Sequence, residues 1–157
     1  MEKYKVIKEL GHGCFGCTYK ILNKENNQIY AMKKIPKQNK RDILESMKNE
    51  AKLLSKVNNE HIVKYYESFY SRNSFNIVME FCDGIDLEKY IEKHKRDHTK
   101  IEKEEIYSFI LDICEGLKEI HSKNIIHKDI KPDNLFLTYN GKIKIGDFGI
   151  SRQLYNS

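Results

Sequence analysis

GHGCFGC, Gly11 to Cys17, supports two opposed readings. Its glycines at 11, 13 and 16 could fold a backbone over phosphate oxygens. Its cysteines at 14 and 17 could clip a metal or form a redox pair. The flanks help to separate the two. YKVIKEL (4–10) and TYKIL (18–22) both alternate polar and apolar residues, so the glycines join two strands as a hairpin. A dinucleotide fingerprint must open a helix, and a Walker loop needs Gly-Lys-Ser/Thr, so neither fits. A glycine hairpin can still approach phosphates closely, because residues without Cβ let backbone N–H groups reach the oxygens. Taken alone, a plain tight hairpin explains it equally well.

The cysteines carry less. A structural zinc wants four ligands, usually as two close pairs. Only Cys14 and Cys17 have that spacing; Cys82 and Cys114 stand in other elements, and no histidine pair has finger-like spacing. A redox pair would open a helix, where the dipole lowers a thiol pKa. Two small side chains on a loop are the simpler reading.

Working outward, NKENNQ (23–28) is a turn and IYAMKKI (29–35) a third strand, ended by Pro36. From Arg41 to Val57 the period changes. Ile43, Met47, Ala51, Leu54 and Val57 recur at three- and four-residue steps, predicting an amphipathic helix. HIVKYYESFY (61–70) and SFNIVMEFC (74–82) predict two more strands. Next come a short helix over 86–93, a charged loop KRDHTK (95–100), and a long helix over 104–121. The last has Ile106, Ile110, Ile113, Leu117 and Ile120 on one face. NIIHKDIKPDN (124–134) is polar and irregular. LFLT and KIKIG make a hairpin around Tyr139, Asn140 and Gly141. The expected fold class is α+β, a sheet-rich portion over 1–83 and a helix-rich portion over 84–157.

The chain has 157 residues, room for one sizeable core. A net charge of +5 is spread along it, with no basic block. Nucleic acid is therefore not an expected partner. No apolar run approaches the ~20 residues of a membrane span, and no secretory signal opens the chain. The expected compartment is the cytoplasm, with nuclear or cytoskeletal association open and the thiols reduced.

Three further features carry chemistry. Lys33 alternates with Ala31 and Ile35 on one strand face, and a lysine among apolar neighbours needs a partner. Glu50, between Met47 and Leu54 on the helix face, is the candidate. In HKDIKPDN (127–134), Asp129 and Asn134 lie five apart with Lys131 between them. In DFG, Asp147 follows a strand. Two carboxylates and a carboxamide are hard oxygen donors of the kind Mg²⁺ accepts.

Glycine hairpin, strand lysine, helix glutamate, H-x-D loop and D-F-G occur in the order and spacing of the eukaryotic protein kinases, which the chain resembles from about Tyr4 onward. The resemblance implies a kinase-like fold with a sheet lobe and an incomplete helical lobe. It implies ATP and Mg²⁺ as cofactors and a protein serine or threonine hydroxyl as acceptor. Leu10, Gly11, His12, Gly13, Cys14, Phe15, Gly16, Cys17 and Thr18 would cover ATP. Lys33 would hold its α- and β-phosphates and pair with Glu50. Ala31 and Phe136 would sandwich the adenine. Glu80 and Cys82 would bond it through their backbone, with Met79 behind. Asp129 would take the hydroxyl proton, Lys131 would contact the γ-phosphate as in serine/threonine kinases, and Asn134 and Asp147 would hold Mg²⁺. IVMEFCDG, NLFL and GDFGISR look most like the NIMA-related branch.

Three positions depart from the family pattern. Thr18 replaces a usual Val, Lys128 a usual Arg, and Ile85 a usual Gly. Lysine supplies charge without the bidentate fork of arginine, so control through a phosphorylated loop is in question at Lys128. The resemblance also implies that the later helices of the domain are missing, leaving the 106–120 face for a partner to cover. The alternative function is an ATP-binding or interaction module without phosphotransfer.

Overall fold

Alternation and turn chemistry build the first strands as expected. The computed structural model describes residues 3–13, 16–37 and 41–154. Strands β1 (Tyr4–Gly13) and β2 (Gly16–Asn23) pair antiparallel, and β2 pairs with β3 (Ile29–Pro36). The β2–β3 turn is held by Asn23, whose Oδ1 accepts from the Glu25 amide at 2.9 Å, and by Asn27 at φ +56°. Asn tolerates that left-handed conformation because its short polar side chain bonds locally.

Two units make up the chain, Met1–Ser55 with Lys64–Phe81, and Lys56–Val63 with Cys82–Ser157. In the first, five strands run in the order β1-β2-β3-β5-β4, with β4 at Tyr65–Tyr70 and β5 at Ser74–Glu80. All neighbours are antiparallel. Helix α1 (Arg41–Leu54) covers one face, where Met47 and Ala51 pack with Ile35, Phe75 and Ile77. Ile21, Tyr30, Met32 and Val78 form a second cluster, joined by Tyr4, Tyr19 and Phe69. β3 is thus buried on both faces.

The second unit is built on α3 (Lys103–Ser122), with α2 at Leu87–Arg96, β6 at Ile125–Ile126, and a single 3₁₀ turn at Pro132–Asn134. The hairpin of β7 (Leu135–Leu137) and β8 (Ile143–Ile145) follows, then β9 (Arg152–Gln153), which pairs back onto β6. Asp86 caps α2 by accepting from the Lys89 amide at 2.8 Å. Phe109, Ile120, Ile125, Leu135, Ile143, Ile145 and Phe148 are buried.

Several expectations need correcting. α1 ends at Leu54, not Val57, although Val57 is buried. The strand expected from His61 begins at Tyr65. His61 to Val63 belong to the second unit, where Ile62 bridges Ile145 and the Val63 amide donates to the Ile145 carbonyl at 2.9 Å. α2 runs on into the expected charged loop, through Arg96. The buried side of α3 is Phe109, Asp112, Gly116 and Ile120. The 106–120 face is left partly uncovered as expected, with Ile106 and Ile110 exposed and Ile120 buried. Among the described residues no helix is long and apolar enough to cross a membrane.

Candidate functional site

Predicted site residues gather into two groups, one in each unit. In the first, Lys33 points from β3 toward α1. Its Nζ donates to both carboxylate oxygens of Glu50, at 2.9 and 2.8 Å. Glu50 is only 2% exposed and Lys33 20%. A buried carboxylate is costly unless paired, and this one is paired in bidentate fashion. The register explains the aim. Lys33 lies opposite Thr18 and Ile77, so all three share the sheet face that α1 covers. Ala31 is buried on the same face, opposite Lys20 and Met79. Met79 is partly buried against the α1 cluster. Glu80 closes β5, and its amide donates to the Lys64 carbonyl at 2.8 Å.

The glycine segment lies beside this pair. Gly13 opposes Gly16 where the hairpin turns, and Leu10 is exposed on β1. The glycines differ in what they allow. A Cβ on Gly16 would collide with the Lys34 carbonyl, whereas a Cβ on Gly11 would meet nothing within 4 Å. Gly16 is required by packing on β3; Gly11 is not. Cys14 and Phe15 lie outside the described residues. No disulfide joins Cys17, Cys82 and Cys114.

The second group surrounds the catalytic-loop candidates. Asn134 is buried, and its Nδ2 donates to the backbone carbonyl of Asp129 at 2.9 Å and to its Oδ2 at 2.8 Å. Lys131 Nζ stands 3.3 Å from the same Oδ2. Among the described residues, the side-chain contacts to this carboxylate from Asn134 and Lys131 fall on Oδ2. With its amide nitrogen committed to Asp129, Asn134 presents its oxygen on the other side. The Gly146 amide donates to the Asn134 carbonyl at 2.9 Å, which ties this loop to D-F-G.

Asp147 sits at φ +53° and Lys128 at φ +69°. Such left-handed conformations are uncommon for residues other than glycine and cluster at functional sites. Asp147 is exposed, and its Oδ1 accepts from the Gly149 amide at 3.2 Å. Phe136, half-buried on β7, packs tightly on Gly146, where a Cβ would stand 2.5 Å from its ring.

The chain matches the protein kinase domain over residues 4–157. It belongs to that family. As a kinase domain it is 41% identical to serine/threonine-protein kinase Nek3 of Mus musculus, over 98% of this chain and 29% of that protein. It is 37% identical to the probable serine/threonine-protein kinase nek2 of Dictyostelium discoideum, over the whole chain and 39% of that protein. It is 40% identical to serine/threonine-protein kinase Nek5 of Homo sapiens, over the whole chain and 22% of that protein. The resemblance to the NIMA-related branch is thus borne out. The chain spans between about a fifth and two fifths of these relatives. Kinases of this family use ATP with Mg²⁺ and act on protein substrates.

The kinase domain also holds residues that the sequence reading passed over. His127 is 1% exposed. Its Nε2 donates to the Gly146 carbonyl at 2.9 Å, and its Nδ1 accepts from the Asp129 amide at 3.3 Å. This bonding fixes one neutral tautomer. Burial pushes the imidazole below its ordinary range, opposed by the Gly146 bond and the nearby carboxylates of Asp147 and Asp129. Phe148 is fully buried and meets the His127 ring edge-on at 4.8 Å. Ser151 Oγ donates to the His127 carbonyl at 3.0 Å. The signal was the histidine of H-x-D itself, read there only as a flank of Asp129.

Proposed function

We propose that the chain is the ATP-binding and catalytic part of a serine/threonine protein kinase, transferring the γ-phosphate of ATP to a protein hydroxyl. The observation that carries the proposal is the convergence of Asn134 and Lys131 on one oxygen of Asp129. That convergence holds the carboxylate by one edge. The other oxygen, Oδ1, can orient an acceptor hydroxyl and take its proton as the oxygen–phosphorus bond forms. Lys131, 3.3 Å from that carboxylate, would follow charge on the transferred group, a role that the resemblance ties to serine and threonine acceptors.

Binding would fall to the first unit. Lys33, already aimed by Glu50, is placed to neutralise the α- and β-phosphates, and the glycine hairpin to cover them. Thr18 and Ala31 share the Lys33 face and would flank the adenine, a task the family resemblance also gives to Phe136 of the second unit. Backbone groups of Glu80 and Cys82, with Met79 behind, would bond its edge. The donor set fits a hard cation. Asn134 offers a carboxamide oxygen and Asp147 an exposed carboxylate, both suited to Mg²⁺. Bound there, Mg²⁺ supplies charge neutralisation on the phosphates.

Transfer of labelled phosphate from Mg-ATP to a generic protein substrate tests the proposal. Asp129→Asn should lower transfer at least about a hundredfold, within the range of general-base contributions, while leaving ATP binding near wild type. Equal transfer by the variant overturns the assignment. ATP binding without transfer by the unaltered chain would make it a nucleotide-binding module.

A further inference from the structure

Glu9, His12 and Cys17 gather on the β1–β2 hairpin, whose backbone is the proposed cover for ATP, through side chains that the proposed reaction does not use. His12 Nδ1 is 3.0 Å from Glu9 Oε1, and Cys17 Sγ is 3.3 and 3.4 Å from the two ring nitrogens of His12. Within this group, one ligand atom from each residue lies within 4.8 Å of the others. We propose that these three side chains form a binding site for a zinc-class transition-metal ion.

The strand register brings the three side chains together. His12 and Cys17 are direct cross-strand partners, so their side chains leave the same face. Glu9 is three residues before His12, an odd step that would normally put it on the opposite face. The register shift between Glu9 and Gly11 removes that mismatch and brings the carboxylate round to the imidazole. Tyr19, opposite Glu9 on β1, is the next residue on this face of β2.

Geometry and ligand chemistry both suit the ion. Tetrahedral zinc at its usual bond lengths holds nitrogen and sulfur ligands about 3.5 Å apart, and nitrogen and oxygen ligands about 3.3 Å apart. The nitrogen–oxygen and nearer nitrogen–sulfur separations, 3.0 and 3.3 Å, are close to those values. Sγ, almost equally far from both ring nitrogens, stands over the ring, and a turn of the Cys17 side chain would bring it to an ion on one nitrogen's lone pair. Thiolate with imidazole selects zinc-like ions over Mg²⁺, so the magnesium that accompanies ATP would not fill it. Three protein ligands leave a fourth position for water, and the exposure of Glu9 and His12 leaves a path in.

The position suggests what the ion does. Thr18 shares the face of Lys33, so its neighbour Cys17 lies on the opposite face of the sheet. A bound ion would therefore pin β1 to β2 across the glycine hairpin without occupying the lysine side. This ligand set replaces the Cys14–Cys17 pair as the metal candidate, since Cys17 finds its partners on β1.

Titration of the intact chain with Co²⁺, then Zn²⁺, tests it. A thiolate-to-cobalt charge-transfer band should appear at one equivalent and be displaced by Zn²⁺. It should vanish in Cys17→Ser and His12→Ala and persist in Cys114→Ser. Each loss should weaken Zn²⁺ binding by more than about tenfold, the loss caused even by changes outside the ligand shell. The side chains are on the surface, so unchanged thermal midpoints without metal will show that the variants fold. No band at equimolar Co²⁺ overturns the proposal. So does a band that survives His12→Ala but is lost in Cys14→Ser, which would mean a two-cysteine clip.

Discussion

His127 donates from Nε2 to the carbonyl of Gly146, at 2.9 Å, from a site shut off from solvent. The same ring accepts the amide of Asp129, so one neutral imidazole joins the residue before D-F-G to the proposed catalytic carboxylate. Phe148 closes the ring's edge and Ser151 bonds its carbonyl. The amide of Asp129 and the carbonyl of Gly146, the residue before Asp147, are thus held by one ring.

Burial depresses the His127 pKa, and this fixes the sign of a pH effect. Below its ordinary value of about 6.5 the unfolded chain takes up a proton that the folded chain resists. The unfolded state then binds more protons, so stability falls as pH drops. The contribution is fully present above pH ~6.5 and is lost as pH falls toward the folded value. Urea midpoints measured between pH 8 and 5 should decline at the acid end for the wild type. His127→Gln should flatten that part of the decline. His127→Ala should cost about 2–4 kcal/mol at neutral pH, from a cavity and an unpaired Gly146 carbonyl.

The Lys33–Glu50 pair should show the asymmetry of buried ion pairs. Lys33→Met strands a carboxylate that is 2% exposed, and should cost about 3 kcal/mol. That is the low end for a buried pair, because Lys33 keeps some contact with water. Adding Glu50→Leu should restore most of the loss, since an apolar pair of similar volume satisfies the site. Nucleotide binding should be lost in both. Denaturant midpoints and a Mg-ATP titration separate the two effects. A double variant no more stable than Lys33→Met would show that the pair is not what makes the single change costly.

How much was legible in the sequence depended on the range of the interaction. α1 was readable because Met47 and Ala51 repeat at the helical period on the face that packs. Lys33 was readable because a charge broke an apolar alternation. α3 was readable as a helix, and its 106–120 apolar face was read as left for a partner to cover; Ile106 and Ile110 are exposed, as that reading expects. In the structure the inward side carries Asp112 and Gly116, residues that a hydrophobic pattern counts against burial. Gly116 is there because a Cβ would press on Ile145 and the His61 carbonyl. The β6–β9 pair and the bridge from Ile62 to Ile145 join residues far apart in sequence, and no local pattern announces them. At the site, motif spacing found Asp129, Asn134 and Asp147. It passed over His127, whose contribution is a pair of backbone bonds.

Asp112 explains the turned face of α3 and gives a third test. Its Oδ2 accepts from the buried amide of Ile143 at 2.9 Å, while Oδ1 lies 3.4 Å from His61 Nδ1 and Lys142 Nζ. Asp112→Ala leaves that amide unpaired and should cost about 2–3 kcal/mol. Asp112→Asn keeps an acceptor for the amide and should cost less than half as much. Equal losses from the two would mean that charge, not the hydrogen bond to β8, is what the position supplies.

Gly11 and Gly16 separate packing from binding within one hairpin. Both look alike in the sequence. A Cβ at Gly16 would run into the backbone of Lys34 on β3, and backbone cannot step aside. Gly16→Ala should therefore destabilise the chain by about 2 kcal/mol or more, by overpacking. A Cβ at Gly11 meets nothing, and an alanine in a strand loses less conformational freedom on folding than glycine. Gly11→Ala should be neutral or stabilising by up to about 0.5 kcal/mol. If the hairpin covers phosphates through its backbone, the same change should weaken Mg-ATP binding at least about tenfold, or ~1.4 kcal/mol. Stability and nucleotide affinity should then move in opposite directions in a single variant. Unchanged ATP affinity in Gly11→Ala would remove the phosphate-covering role from this glycine.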